Sequence, residues 1–300
     1  MMNLDSAAFT PAPATLYAVA TPIGHLRDIT LRALDVLRTV DFVAAEDTRV
    51  SSALLRHYGI DAKMIALHEH NERTQSRRIV DLLQQGRAVA VISDAGTPGV
   101  SDPGAELVAA VRAAGFAVVP IPGASALTTL LSVTGWRAAP FTFAGFLPAR
   151  AGARRAALQS MRDARPALMF YEAPHRIVEM LEDLATVFGG ERRITLGREL
   201  TKRFETVHEA TLAGMNEWIN ADPDRQRGEF VVIVEGAPEA SDDSLNSADL
   251  QMLEKLVAEL PPSRAARVAA DISGKPRAAF YQRAMELRSE HPAATGSDDL

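Results

Sequence analysis

Short apolar runs alternate with longer segments whose apolar positions recur at helical spacing, beginning at Leu16. The runs predict strands over Leu16–Ala20, Asp41–Glu46, Met64–His68, Ala88–Ser93 and Ala117–Pro122. Between them lie LRALDVLRTV from Leu31, SALLRHYG from Ser52, RRIVDLLQQG from Arg77 and AELVAAVRAAG from Ala105. Gly59, Gly86 and Gly115 follow three of these segments, where a helix ends in a left-handed residue. Strands alternating with helices predict βαβ units and a mainly parallel sheet. A second series predicts strands over Phe141–Phe146, Ala167–Glu172, Arg193–Leu200, Phe204–Leu212 and Glu229–Gly236. Only two helices interrupt it, Ala151–Asp163 and Pro174–Phe188, and two of its strands follow one another almost directly. That spacing predicts antiparallel pairs in a second, mixed sheet.

The expected class is therefore α/β, with a parallel-sheet domain over 15–135 and a mixed-sheet domain over 136–238. The polar, acidic stretch 239–247 reads as a linker, and three short helical patterns over 248–290 read as a small helical domain. Residues 1–14 and 291–300 are expected to be disordered.

Composition narrows the classes. The chain of 300 residues is 47% hydrophobic and 23% charged, which excludes whole-chain disorder and fibrous repeats. The absence of cysteine excludes disulfides, thiolate metal sites and thiol nucleophiles. No apolar run approaches a membrane span, and the N-terminus lacks the basic cluster of a signal or transit peptide, so a cytoplasmic protein is expected. The net charge of −6 is the wrong sign for a protein coating nucleic acid, so any RNA affinity must be concentrated in one patch.

Open α/β sheets bind ligands beyond the carboxyl ends of their strands, and four loops qualify. TPIGHLRD (Thr21–Asp28) also suits a capped βα turn. AEDTR (Ala45–Arg49) sets Glu46, Asp47 and Arg49 toward the crevice. LHEHNER (Leu67–Arg73) is a poor metal site, because His68 and His70 would face opposite ways with no matching ligands elsewhere; no metal is expected. SDAGTPGVSDPG (Ser93–Gly104) is too rich in glycine and proline for a simple turn. Its glycines let backbone N–H groups approach a ligand closely, yet it is neither a Walker loop nor a dinucleotide fingerprint. PGASA (Pro122–Ala126) then opens a helix whose free N–H groups suit a carboxylate.

TPIGHLRDITLRAL, AEDTR, SDAGTPGVSDPG, PGASA, FYEAPHR and GRELTKRFE occur here in an order and spacing that resembles the tetrapyrrole methylase superfamily, over roughly 16–236. The set is most similar to the branch that 2′-O-methylates the ribose of cytidine 1402 in 16S rRNA. The resemblance implies an S-adenosylmethionine site between two α/β domains, formed by Asp94, Ala95, Gly96, Thr97, Pro98, Ser125, Ala126, Tyr171, Glu172, Ala173, Gly228 and Phe230. It implies 16S rRNA in the small (30S) ribosomal subunit as partner, and a homodimer. Methyl transfer to a 2′-hydroxyl needs alignment and help with a weakly acidic proton. Lys202 is expected to lower the hydroxyl's pKa or act as base, oriented by Asp47 and Glu205, with Glu46 and Arg49 also candidates. For RNA the candidates are Arg264, Arg267, Lys275 and Arg277 in the C-terminal helices, and Arg154 and Arg155 at the cleft mouth. Two alternatives are a C-methyltransferase of the same fold acting on a tetrapyrrole, and a ribosome-assembly factor that binds RNA without chemistry.

Overall fold

The computed structural model describes residues 9–138, 140–238 and 245–290. The expectations for 1–8, 239–244 and 291–300 lie outside the described residues.

The first sheet contains β1 (Thr15–Val19), β2 (Phe42–Ala45), β3 (Met64–Ala66), β4 (Val89–Ile92) and β5 (Ala117–Ile121). Every pairing is parallel, in the order β3-β2-β4-β1-β5. Helices α1 (Leu31–Thr39) and α2 (Thr48–His57) cover one face; α3 (Glu72–Gln84) and α4 (Ala105–Ala113) cover the other. Burial on both faces explains why these strands are apolar throughout and do not alternate: Tyr17 and Val19 face α1, while Leu16 packs with Leu107 and Val111 of α4. The three punctuating glycines do adopt positive φ, 67° at Gly59, 79° at Gly86 and 83° at Gly115. From the central pair, β1 connects leftward to β2 and β4 connects rightward to β5, with their helices on opposite faces. A crevice opens at such a divergence, above the carboxyl ends of β1 and β4.

Helix α5 (Ala126–Leu131) leads to the second sheet, formed by β6 (Phe141–Phe146), β7 (Ala167–Glu172), β8 (Arg193–Arg198), β9 (Thr206–Thr211) and β10 (Phe230–Val234). Its order is β6-β7-β10-β8-β9, with β6 parallel to β7 and the other pairs antiparallel, as the strand spacing predicts. Three helices pack on one face: α6 (Ala151–Ser160), α7 (Ile177–Phe188) and α8 (Leu212–Asn220). Helix α8 is an addition to the expected two. It hides in the sequence because β9 runs into it without a turn, Thr211 ending the strand and capping the helix by accepting from Gly214 N–H at 3.2 Å. The other face of the sheet packs on Leu127 and Leu130 of α5, the helix that follows β5, and on Ile23 of the loop after β1.

The C-terminal unit is α9 (Ser247–Glu259), α10 (Pro262–Ser273) and α11 (Arg277–Glu290), closed around Leu253, Ala265, Ala269, Phe280 and Ala284. Among the described residues no helix is long and apolar enough to cross a membrane.

Candidate active site

The crevice of the first sheet faces β7 and β10 of the second, and a cavity of about 430 Å³ lies between them. Four segments singled out in the sequence meet there. Ala95, Gly96, Thr97, Ser101 and Asp102 come from the glycine-rich loop, Ser125 and Ala126 from PGASA, Tyr171, Glu172 and Ala173 from FYEAPHR, and Lys202 from GRELTKRFE in the β8–β9 turn, with Phe230 of β10 beside them.

Backbone and side-chain bonds lock these loops together. Thr21 and Gly96 exchange N–H···O bonds of 2.8 and 3.1 Å, tying the loops after β1 and β4. Gly96 has φ 79°, a conformation in which a side chain is strained. Thr97 donates its hydroxyl to Ala124 carbonyl at 3.3 Å, and Asp94 Oδ1 accepts from Asp47 N–H at 3.2 Å. Across the cleft, His25 N–H donates to Thr201 Oγ1 at 3.0 Å. Gly24 makes that approach possible, since a Cβ there would lie 2.4 Å from Lys202 Cγ and 2.9 Å from Thr201 Oγ1. Among the described residues four non-glycines have positive φ, and three of them, Ser101, Glu199 and Thr201, flank this cavity. Strain of this kind persists where the surroundings over-determine it, and it concentrates at ligand sites.

The walls are mostly apolar. Ile23, Leu200, Phe230 and Val231 face the space, and Tyr171 sits edge-on to Phe143 and Phe146 at 4.9 and 5.8 Å. Burial raises the Tyr171 phenol above its ordinary pKa, against the lowering effect of Ser125 and the Leu127 backbone across the domain boundary. Glu172 accepts from Ala173 N–H at 2.8 Å through Oε1, while its buried Oε2 has no hydrogen bond and lies 3.3 Å from Arg176. Burial raises that carboxyl's pKa too.

The charged groups fall into two sets. Lys202 Nζ donates to Glu199 Oε1 and Glu229 Oε2, both at 2.9 Å. Burial by itself would lower the ammonium's pKa, but the two carboxylates outweigh it and hold Lys202 above its ordinary value. The expected orienting carboxylates are thus replaced. Glu205 instead accepts from Thr201 N–H inside the tight turn, and Asp47 caps α2, accepting from Arg49 N–H at 2.8 Å and pairing with its guanidinium at 2.7 Å. That bonding lowers Asp47 to about 2. The second set is acidic: Glu46 is raised by burial and then by Asp102, Asp94, Asp47 and Glu69. Asp102 is raised by burial and by Asp94, and held back by its bond with Ser93. Among the described residues no group of three or more such side chains is arranged to hold a metal.

Of the twelve residues expected at the cofactor, Asp94, Pro98 and Gly228 do not line the cavity. Asp94 is exposed and braces Asp47, and Gly228, at φ 97°, lies against the Glu199 side chain. Ten lining residues were not among the expected site residues, Asp102, Ile23 and Glu229 among them. Asp102 stands inside the quoted loop and could have been found; Glu229 reaches the cleft only through strand pairing.

Two RNA candidates are corrected. Arg154 is 1% exposed, and its Nε and Nη2 bond Asp183 at 2.6 Å and Glu179 at 3.1 Å. Helix α6 packs this arginine against α7, so it faces a core carboxylate and not solvent. Lys275 is largely buried and pairs with Asp249 at 2.5 Å, which fastens α9 to the α10–α11 turn. Arg155 remains mostly exposed although it also pairs with Asp183, and Arg264, Arg267 and Arg277 are exposed.

The tetrapyrrole (corrin/porphyrin) methylase family model matches residues 15–216, and that of the RsmI C-terminal HTH domain matches residues 243–288. A curated relative from Pseudomonas aeruginosa, ribosomal RNA small subunit methyltransferase I, is 50% identical over 278 residues, 92% of this chain and 98% of the relative. The protein of that name from Escherichia coli O157:H7 is 46% identical, covering 90% and 94%. Among solved structures, uroporphyrin-III-C-methyltransferase from Thermus thermophilus superposes with TM-score 0.52 at 20% identity, covering 74% of this chain and 94% of that one. The methyltransferase CobJ superposes at 0.55 and 19%, covering 76% and 96%. These two likenesses speak for the fold alone. The chain belongs to the tetrapyrrole methylase family, alongside the relatives named ribosomal RNA small subunit methyltransferase I.

Proposed function

We propose that the protein is a methyltransferase that uses S-adenosylmethionine to 2′-O-methylate the ribose of cytidine 1402 in 16S rRNA of the small ribosomal subunit. The single observation that carries the reading is the cleft, in which the glycine-rich loop, PGASA and FYEAPHR converge on one cavity. Its 430 Å³ is within the range of small-molecule sites, about 300–1,000 Å³. The residues present suit the methyl donor. Apolar walls at Ile23, Phe230 and Val231 fit an adenine, and the glycine-rich loop lacks the lysine of a phosphate-binding loop, as suits a donor that has no phosphate. Gly96 and Ser125 bring backbone close enough to bond polar edges. When bound, the donor supplies an electrophilic methyl group with a neutral thioether as leaving group.

The chain's own task is alignment and proton handling. Lys202, kept protonated by Glu199 and Glu229, acts as a fixed cation that stabilises a developing 2′-oxyanion and not as a base. The hydroxyl proton passes to a carboxylate of the cleft, Asp102 or Glu229. Tyr171 and Phe146 form an aromatic wall on one side of the cavity. The 45–50% identity to ribosomal RNA small subunit methyltransferase I relatives, over 90–96% of this chain, supports the RNA substrate over a macrocycle.

The test incubates the protein with methyl-labelled S-adenosylmethionine and small subunits lacking the modification, with a corrin precursor in parallel. Label on the ribose of cytidine 1402 is the expected result. Label on the macrocycle, or on neither substrate, overturns the reading.

A further inference from the structure

A three-helix unit needs one apolar stripe per helix, yet α11 carries two. Phe280 and Ala284 are fully buried, and Leu287 packs beside them. One position further round the helix, Tyr281 is 44% and Met285 49% exposed. Positions 277, 281, 285 and 288 share a face, so exposed Arg277 and Arg288 bracket this apolar pair, one turn to either side. Arg277 Nη2 also lies 3.5 Å from Ser263 carbonyl, which brings it beside the first turn of α10 and exposed Arg264. In a chain with net charge −6 this is a local concentration of cations around an exposed aromatic ring.

We propose that this stripe is a stacking platform for an unpaired RNA base, with Tyr281 and Met285 against the base and Arg277 and Arg288 on the flanking phosphates. The inference rests on the rRNA reading above and names the face by which the C-terminal unit engages that RNA. A protein partner would suit the apolar pair alone, but the arginines at both ends match a polyanion. Aromatic stacking on bases is tolerant of sequence, and arginine contacts to the backbone release counterions; together they describe single-strand recognition. The platform places recognition outside the methyl-transfer cleft, so the two are separable by mutation.

The experiment measures binding of the full-length protein to a fluorescein-labelled single-stranded RNA oligonucleotide over a salt series, with circular dichroism of each variant. Tyr281→Ala is expected to bind roughly tenfold more weakly with an unchanged salt slope, and Tyr281→Phe to bind like the parent. Arg277→Ala is expected to reduce the slope of log K against log salt by about 0.7, one phosphate's worth on a single strand. Unchanged oligonucleotide binding by folded Tyr281→Ala overturns the platform. Weaker binding to small subunits with oligonucleotide affinity intact also overturns it, in favour of a protein partner. Methylation of small subunits by the parent protein is run alongside: its absence overturns the rRNA reading, whereas its presence with unaltered Tyr281→Ala binding overturns only the platform.

Discussion

Replacing Arg154 by alanine separates a core ion pair from an RNA contact. The Arg154 and Asp183 side chains are each only 2% exposed. The guanidinium bonds Asp183 Oδ2 at 2.6 Å, Glu179 Oε2 at 3.1 Å and the Ala149 carbonyl at 3.2 Å. Removing it leaves a buried carboxylate whose remaining cationic partner is Arg155, at 2.6 Å. Breaking one side of a buried pair costs about 3–5 kcal/mol. The surviving Arg155 contact argues for the lower end, about 3 kcal/mol. At roughly 2–4 °C per kcal/mol for a unit of this size, Tm falls by about 6–12 °C. Arg155→Ala is the contrast: its side chain is 61% exposed and its pair is worth at most about 1 kcal/mol. The double variant Arg154→Met with Asp183→Leu should recover much of the loss, because an apolar pair of similar volume needs no desolvation of charge. Thermal melts by circular dichroism and RNA binding at a temperature where every variant is folded make the assay. A folded Arg154→Ala that melts with the parent and binds RNA weakly would refute the burial argument.

Gly24→Ala forces a methyl group against Lys202 and Thr201, and overpacking of about 1–3 kcal/mol should lower the melting temperature by about 2–12 °C in thermal melts, with calorimetry showing weaker S-adenosylmethionine binding as the Lys202 turn is displaced. Gly96→Val places a β-branched residue at φ 79°, and calorimetry should show loss of cofactor binding while circular dichroism shows the fold intact. Glu199 is held below its ordinary pKa of 4.5 by Lys202, against the opposing effect of burial, so the pair's stabilisation is complete above that value and lost as pH falls through the lowered one; Lys202, raised above 10.5, loses its share only as pH rises past its own folded value. Glu199→Gln should therefore flatten the acid side of a urea-midpoint profile against pH. Deleting Ala248–Leu300 should weaken small-subunit engagement and leave S-adenosylmethionine affinity unaltered, as read by filter binding and calorimetry.

Much of the architecture was legible because each signal was local. Strand burial on both faces wrote continuous apolar runs such as Val89–Ile92, and left-handed helix ends needed glycine at 59, 86 and 115. The glycine-rich loop announced itself by residue types that few other roles require. Helix α8 was missed because a strand that becomes a helix at Thr211 leaves no turn residues behind. Positive charge misled at Arg154 and Lys275, since a sequence shows that an arginine or lysine is present but not whether a carboxylate distant in the chain has already claimed it.

From the sequence alone followed the α/β class, the two kinds of sheet, the helical C-terminal unit and the segments that build the cleft. Only tertiary structure decided that Lys202 belongs to Glu199 and Glu229, that Asp102 and Ile23 face the same cavity as Tyr171, and that Tyr281 stays outside the core while Phe280, its neighbour in the chain, is buried. Periodicity reports which face of an element is apolar. Which charge meets which, and which apolar face is left uncovered, depends on how whole elements pack across long sequence separations, and no local pattern encodes that.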